Sequence, residues 1–183
     1  GTICVINTST YNIDHRVSTD ILGGSQGAVA LNELVPDALA ILSKEHALTI
    51  RHQTGKKQVE VTQQRYKNLG ISDANVQPFI NDMAEAYGWA DLVICRSGAL
   101  TVSELAAAGV ASVLVPYPHA VDDHQTANGR YLSDEGAALL CQQATLTAEN
   151  LAQTLKPLLS RPKLLQMANI ARKLAQPKAT ATV

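Results

Sequence analysis

The chain has 183 residues, of which 46% are hydrophobic and 17% charged, and its formal net charge is −1. This length suits one well-buried domain and is short for two. Because the charge is nearly balanced and forms no basic stripe, we expect no nucleic-acid partner. The longest apolar runs are of strand length, so we predict neither a membrane span nor a secretory leader.

Short apolar strands alternate with amphipathic helices from residue 21 onward. Helices are predicted at 32–42, 58–69, 82–89, 99–108, 125–133, 148–159 and 162–174, and strands at 47–51, 75–77, 92–95, 112–115 and 137–140. This alternation predicts an α/β fold with a doubly wound, mostly parallel sheet.

Residues 1–20 depart from this pattern, although residues 2–6 are compatible with a strand. A central parallel strand should precede Gly23, and such a strand is normally an unbroken apolar run. Here the run is interrupted by the polar tripeptide Ser18-Thr19-Asp20. We therefore predict an atypical N-terminal segment over residues 1–20, which is displaced, shortened or foreign, and a separate domain over residues 21–183.

Two polar, glycine-containing turns precede predicted helices. One is the segment GGSQGA over residues 23–28, and the other is Arg96-Ser97-Gly98. Helix N-termini at the carboxyl ends of parallel strands present free N–H groups that favour anions, and glycine lets the backbone approach a ligand closely. Two such turns in one small domain predict a nucleotide diphosphate ligand. The alternative for the first turn is a tight connection in which Ser25 caps the following helix.

Glu104 has two interpretations. The spacing Thr101-x-x-Glu104 matches a capping box, in which the carboxylate reaches back to a helix-start amide. Alternatively, the carboxylate accepts hydrogen bonds from ribose hydroxyls, as acidic residues do in nucleotide sites. The spacing alone favours the capping box.

Amides and aromatic residues supply further candidates. Gln125 and Asn128 are three residues apart on one helical face, suited to a sugar or simply exposed. Phe79 either stacks on a base beside the backbone of Ile80, or both residues belong to the core or form a hydrophobic staple of the following helix. His119 and His124 have no companion ligands at metal spacing, so we predict no metal site.

The three cysteines, Cys4, Cys95 and Cys141, are far apart and form no CxxC motif. We interpret Cys95 and Cys141 as buried structural thiols, and the cysteine usage as typical of a reducing, cytosolic compartment.

Four blocks carry a family resemblance: GGSQGA, HQTGK, FINDMAEAYGWADLVICRSGALTVSELAAAG and VPYPHAVDDHQTAN. In this order they resemble the C-terminal half of the MurG family of bacterial N-acetylglucosaminyltransferases, from about residue 22 to about residue 174. The resemblance implies the GT-B architecture, in which two Rossmann-like domains face a cleft and the C-terminal one holds UDP-GlcNAc. It implies inverting transfer of GlcNAc to lipid I, giving lipid II in peptidoglycan synthesis.

The same resemblance implies a donor site. In it, Gly24, Ser25, Gln26 and Gly27 lie against the diphosphate, and Phe79, Ile80 and Met83 line the uracil pocket. Arg96, Ser97, Gly98, Ala99, Leu100 and Thr101 face the diphosphate and sugar, Glu104 holds the ribose, and His124, Gln125 and Asn128 hold the GlcNAc. His124 stands where a glutamine is common in the family. No metal or other cofactor is implied, and the catalytic base and the lipid I site belong to the family's N-terminal domain.

The glycine-rich, histidine-containing opening of that N-terminal domain does not occur in this sequence. We therefore expect a donor-binding domain that binds UDP-GlcNAc without turning it over, cytoplasmic, with peripheral inner-membrane association only in the full-length protein. The alternatives are a stand-alone UDP-sugar-binding subunit with a separate acceptor partner, a UDP-GlcNAc 2-epimerase-like enzyme, and a nucleotide-sugar sensor without chemistry.

Overall fold

The computed structural model describes residues 3–6, 17–22, 29–118 and 123–175. Its strands are β1 (Ile3–Ile6), β2 (Val17–Leu22), β3 (Leu48–Gln53), β4 (Asn75–Gln77), β5 (Leu92–Cys95), β6 (Ala111–Leu114) and β7 (Ala138–Leu140). Its helices are α1 (Val29–Leu42), α2 (Val59–Asn68), α3 (Met83–Trp89), α4 (Ala99–Ala108), α5 (His124–Ser133), α6 (Ala148–Leu155) and α7 (Arg161–Ala175). Short 3-10 turns occupy Lys56–Gln58, Gln143–Thr145 and Lys156–Leu158.

Parallel pairings join the strands in the order β4-β3-β2-β5-β6-β7. From β2 the chain continues to β3 and β4 on one side, whereas β5, β6 and β7 extend the sheet on the other side. The strand order therefore reverses between β2 and β5. In open α/β sheets the crevice at such a reversal, beyond the carboxyl ends of the strands, is where ligands bind.

The helices cover both faces of the sheet, which confirms the doubly wound α/β fold. Strand β5 shows why: Leu92 and Ile94 join one core cluster, while Val93 and Cys95 join the other. Successive side chains of a strand point to opposite faces, so a strand buried on both sides is apolar throughout. Buried residues of α1, α2 and α6 belong to the first cluster, and those of α3, α4 and α5 to the second.

The predicted helices and strands from residue 32 to residue 174 are confirmed to within a few residues. The largest difference is at the predicted helix 148–159, where α6 ends at Leu155 and a 3-10 turn, Lys156–Leu158, follows. Pro157 lies in this turn. Proline has no backbone N–H to continue an α-helical ladder, which explains the change.

The N-terminal strands lie in the middle of the sheet. Strand β2 pairs in parallel with both β3 and β5, which is the central position expected for the residues before Gly23, although its sequence is polar. Strand β1 confirms the strand proposed within residues 2–6, and it pairs with the same two neighbours in the antiparallel sense. Because β2 crosses the boundary proposed between residues 20 and 21, that division of the chain stays a prediction.

Among the described residues, no helix is both long enough and apolar enough to cross a lipid bilayer.

Candidate functional site

The site is built around the turn that joins β5 to α4, at the reversal of strand order. Arg96 and Ser97 follow β5 directly and are buried, with 6% and 0% of their surface exposed. Gly98 then caps α4 in an extended conformation, and no side chain of the described residues accepts a hydrogen bond there. Within the described ranges, the first amides of α4 therefore lack the side-chain cap that usually satisfies a helix start.

Ser97 holds the turn against α5. Its hydroxyl donates to the carbonyl of Gln125 at 2.6 Å, and its backbone N–H donates to Gln125 Oε1 at 3.3 Å. Asn128 Nδ2 donates to the Ser97 carbonyl at 3.2 Å, and the N–H of Tyr117 donates to Gln125 Oε1 at 2.8 Å. The structure thus brings Gln125 and Asn128 to the turn, and their contact with a sugar stays a prediction. The Gln125 amide links the loops after β5 and β6, and the Asn128 amide bonds the first of these loops, so neither residue is simply exposed.

Arg96 points into the protein. Its guanidinium donates to the carbonyls of Val115 and Pro116, each at 3.2 Å, and lies 5.5 Å from the ring centre of Tyr117. Burial lowers the pKa of Arg96, while Tyr117 and Cys95 raise it. Arginine stays protonated under such conditions, so the turn carries a fixed positive charge beneath the start of α4. Contact between Arg96 and a diphosphate stays a prediction.

The capping box proposed for Thr101 and Glu104 is wrong. Helix α4 begins at Ala99 with Gly98 as its cap, so Thr101 lies inside the first turn rather than before it. Ala99 is exposed, and Leu100 has 73% of its surface exposed. The Thr-x-x-Glu spacing led to a wrong prediction because Thr and Glu at this spacing also occur within a helix, where they occupy neighbouring positions on one face.

Glu104 accepts a hydrogen bond from one side chain among the described residues. The hydroxyl of Tyr87 donates to Glu104 Oε2 at 2.9 Å, and the carboxylate is half-buried. Glu104 lines a cavity of about 450 Å³ together with Met83, which the resemblance had assigned to the donor pocket. The two residues come from different helices, α4 and α3, and the fold brings them to one cavity, while their roles toward a ligand stay predictions.

Phe79 and Ile80 differ in exposure. Ile80 is buried, and its backbone N–H donates to Gln53 Oε1 at 2.5 Å. Phe79 has 51% of its surface exposed, and Lys56 Nζ lies 5.9 Å from the centre of its ring. Placing both residues in the core is therefore wrong for Phe79 and right for Ile80. The exposed ring can stack on a planar group, and stacking on a base stays a prediction.

Several predicted residues lie outside the described part of the chain. These are Gly24, Ser25, Gln26 and Gly27 of the first glycine-rich turn, and His119. That turn follows β2 directly in the sequence.

At α5, Asp123 is the N-cap, and it accepts a hydrogen bond from the hydroxyl of Thr126 at 2.6 Å. His124, the first residue of α5, is exposed.

A buried polar network lies between α1, α2 and β3. His52 Nδ1 is 2.7 Å from the hydroxyl of Tyr66, and Nε2 is 2.7 Å from Asn32 Oδ1. Burial lowers the pKa of His52 well below its ordinary value, so the ring is neutral. Asn32 Nδ2 donates to the Thr54 carbonyl, so its Oδ1 accepts from Nε2–H and His52 Nδ1 accepts from Tyr66. This network fixes α1, whose start follows the first glycine-rich turn in the sequence.

Sequence reasoning gave no functional role to Gln53, Tyr87 or Tyr117. Gln53 stands in the quoted block HQTGK, and its position two residues after the predicted strand 47–51 was the available signal. Tyr87 lies within the predicted helix 82–89. A buried tyrosine hydroxyl usually needs a partner, and that rule could have directed attention to a nearby carboxylate.

Within the described ranges, no group of three or more His, Cys, Asp or Glu side chains is placed to hold a metal ion. Cys95 is fully buried, and burial raises the pKa of its thiol. Cys141 is half-buried, and burial raises its pKa as well. Both are poor nucleophiles and poor metal ligands at neutral pH, because the reactive form of cysteine is the thiolate.

Comparisons with known proteins agree with this geometry. Residues 20–183 match the model of the glycosyltransferase family 28 C-terminal domain. The chain is 55% identical over 171 residues to a protein of Pseudomonas putida F1, covering 93% of this chain and 47% of that protein. It is 59% identical over 164 residues to one of Pseudomonas fluorescens SBW25, covering 89% of this chain and 46% of that protein. Both are named UDP-N-acetylglucosamine--N-acetylmuramyl-(pentapeptide) pyrophosphoryl-undecaprenol N-acetylglucosamine transferase.

Among solved structures, the MurG of Acinetobacter baumannii superposes with a TM-score of 0.78 at 55% identity, covering 86% of this chain and 47% of that one. The glycosyltransferase VinC, at 20% identity and a TM-score of 0.58, shares the fold alone. The chain thus spans about half the length of the curated relatives it matches. On the extent of the family match, the chain belongs to the glycosyltransferase family 28 C-terminal domain family.

Proposed function

We propose that this chain is the donor-binding domain of an inverting glycosyltransferase that moves GlcNAc from UDP-GlcNAc to lipid I, giving lipid II. The reaction belongs to peptidoglycan synthesis at the cytoplasmic face of the bacterial inner membrane. The identity to relatives named for this transfer supports the proposal. Because the chain spans about half their length, we expect it to bind the donor and not to complete the transfer.

One observation carries the donor-binding role. The uncapped start of α4 opens at the carboxyl end of β5, where the strand order reverses, and Glu104 follows within the same helix. Free N–H groups and the helix dipole attract an anion such as a diphosphate. A carboxylate one to two turns away suits the two hydroxyls of a ribose. A nucleoside diphosphate contains both groups.

The same features suit the chemistry of transfer. Displacement at the anomeric carbon inverts an α-linked donor to a β-linked product, and UDP departs with growing negative charge. Preorganised amides at a helix start stabilise such charge. Arg96, buried beneath the start of α4, adds a fixed positive charge nearby. A general base must deprotonate the acceptor hydroxyl, and we assign that base to the other domain of the longer protein.

Calorimetric titration with UDP-GlcNAc tests the donor-binding role. We expect saturable binding, weaker binding of UDP-glucose, and no binding of ADP-glucose at the same concentrations. EDTA should leave the dissociation constant unchanged, because no metal is required. Equal affinity for ADP-glucose, or loss of binding in EDTA, contradicts the proposal.

A matched pair of variants locates the ligand. Glu104→Gln keeps the size of the side chain and removes its charge, and we expect UDP-GlcNAc to bind about tenfold more weakly. Glu135→Gln makes the same change at an exposed position after α5 and should bind like the wild type. If both variants bind alike, the ribose does not lie at Glu104. Sustained transfer to lipid I by the 183-residue chain alone contradicts the division of roles between two domains.

A further inference from the structure

Tyr87 of α3 and Glu104 of α4 are joined by a hydrogen bond between two side chains that differ in burial. Tyr87 of α3 has 4% of its surface exposed, whereas Glu104 of α4 is half-buried at the edge of a cavity. The Tyr87 hydroxyl donates to Glu104 Oε2 at 2.9 Å. We propose that Tyr87 is a positioning residue, which fixes the Glu104 carboxylate for the ribose hydroxyls of a uridine diphosphate donor. This inference rests on the proposed function, because it concerns the same site.

Tyr87 is a rigid anchor. Its ring belongs to the core cluster that includes Val93 of β5 and Leu105 of α4. A side chain packed in this way keeps one orientation, so its hydroxyl stays at a fixed point relative to α4. A long glutamate side chain held only by solvent would instead sample several rotamers.

The bond to Tyr87 leaves acceptor capacity for a ligand. A carboxylate has about four acceptor positions on its two oxygens. Tyr87 uses one on Oε2, and within the described residues Oε1 accepts no hydrogen bond. The carboxylate therefore lines the cavity of about 450 Å³ with one oxygen unoccupied. A ribose presents two adjacent hydroxyl donors, which match this arrangement.

Positioning of this kind improves affinity by lowering the entropic cost of binding. Fixing a glutamate side chain at the moment of binding costs free energy, and a residue that fixes it beforehand removes that cost. Removing the tyrosine hydroxyl also removes a hydrogen bond to a charged group. Together these effects predict a loss of affinity of about tenfold for a ligand that has the ribose hydroxyls. A ligand without those hydroxyls should be unaffected.

The experiment is a ligand-and-variant cycle on the full 183-residue chain. UDP and 2′,3′-dideoxy-UDP are titrated by calorimetry into the wild type, Tyr87→Phe and Glu104→Gln. We expect Tyr87→Phe to bind UDP about tenfold more weakly and dideoxy-UDP within twofold of the wild type. Glu104→Gln should remove most of the preference for UDP over dideoxy-UDP. Thermal denaturation of each variant confirms that it is folded.

Tyr131→Phe is the matched control, since it removes a hydroxyl that donates to the Leu174 carbonyl at 2.6 Å, in a different part of the chain. It should bind both ligands like the wild type. Equal weakening of both ligands in Tyr87→Phe, or no weakening of either, overturns the positioning role and leaves the proposed function intact. A wild type that does not distinguish the two ligands overturns the ribose role of Glu104 and the positioning role with it. A wild type that binds neither ligand contradicts the proposed function itself.

Discussion

Helices α4 and α6 begin in opposite ways. At α6, Thr147 Oγ1 accepts from the N–H of Asn150 at 3.1 Å, and Asn150 Oδ1 accepts from the N–H of Thr147 at 2.8 Å. At α4, Gly98 provides no side chain, and no described side chain replaces it. The start of α6 is capped by side chains of its own sequence, whereas the start of α4 leaves backbone N–H groups that no described side chain caps.

This difference separates stability from function. A reciprocal cap stabilises a helix by satisfying donors that have no partner within it. Leaving α4 uncapped costs stability, and such a cost is expected where the donors serve a ligand. Substitutions that change one helix start or one polar network at a time test which of these features matter for binding.

The largest effect on UDP affinity should come from placing a charged capping side chain at the start of α4. Gly98 has backbone angles of φ −62° and ψ 152°, and an added Cβ would meet no atom of the described residues within 4 Å, so Gly98→Asp fits there without strain. Its carboxylate can cap α4 and repel a diphosphate. We expect the dissociation constant for UDP to rise about 100-fold, while the free energy of unfolding rises by about 0.5–1 kcal/mol. Calorimetry and urea denaturation measure the two quantities.

Gly98→Ala separates charge from bulk at the same position and should weaken UDP binding by less than about threefold, since the Cβ has free space. If Gly98→Asp binds UDP as tightly as Gly98→Ala does, the start of α4 is not the diphosphate site.

An unpartnered polar group away from the crevice should affect stability alone. Asp91 Oδ2 is buried and has no hydrogen-bond partner in the described part of the chain, and burial raises the pKa of Asp91 to about 8, although Arg161 lowers it. Between about pH 4 and pH 8 the folded protein therefore binds a proton that the unfolded chain has lost. The free energy of unfolding falls as the pH rises through that window.

Asp91→Asn removes the carboxylate that binds this proton when the chain folds. Urea denaturation at pH 5, 6, 7 and 8 should show a stability advantage over the wild type that grows with pH, with unchanged affinity for UDP. Asp73→Asn, at an exposed position, is the matched control. A stability difference that does not change with pH refutes the proton uptake at Asp91.

Removing one hydroxyl from the buried polar network beside β3 should lower the free energy of unfolding by a moderate amount. Tyr66→Phe leaves His52 Nδ1 as a buried acceptor without its 2.7 Å partner. Such a group costs about 1–3 kcal/mol, which urea denaturation can measure. Unchanged stability would mean that water or another donor replaces the tyrosine hydroxyl.

The smallest effect should come from removing the side-chain cap at the start of α6, which lowers stability alone. Thr147→Ala removes one half of the capping box and should lower the free energy of unfolding by about 1 kcal/mol. The affinity for UDP should not change, because α6 begins away from the reversal of strand order. A loss of affinity equal to that of Gly98→Asp removes the distinction between the two helix starts.

The sequence was sufficient to predict most of the fold. Strand β5 reads Leu92-Val93-Ile94-Cys95, apolar at every position, and only a strand buried on both faces requires that pattern. The polar β2 was the exception, since its central position depends on pairing with β3 and β5 rather than on its own composition.

The site was harder to predict because its contacts join distant segments. The spacing rule for capping boxes selected Thr101 and Glu104, whereas the capping box observed at α6 uses Thr147 and Asn150. Only the fold distinguishes these cases, by fixing where each helix begins. The partnership of Tyr87 with Glu104 depends on how α3 packs against α4, and no local pattern contains that information.

The most direct test of the account is to map UDP onto the assigned amide resonances of the ¹⁵N-labelled chain by NMR. The account predicts that the amides of Ala99, Leu100 and Thr101 shift most on saturation, while those of Thr147 and Asn150 do not move. Saturable binding that leaves residues 99–101 unperturbed would contradict the assignment of the start of α4 as the diphosphate site.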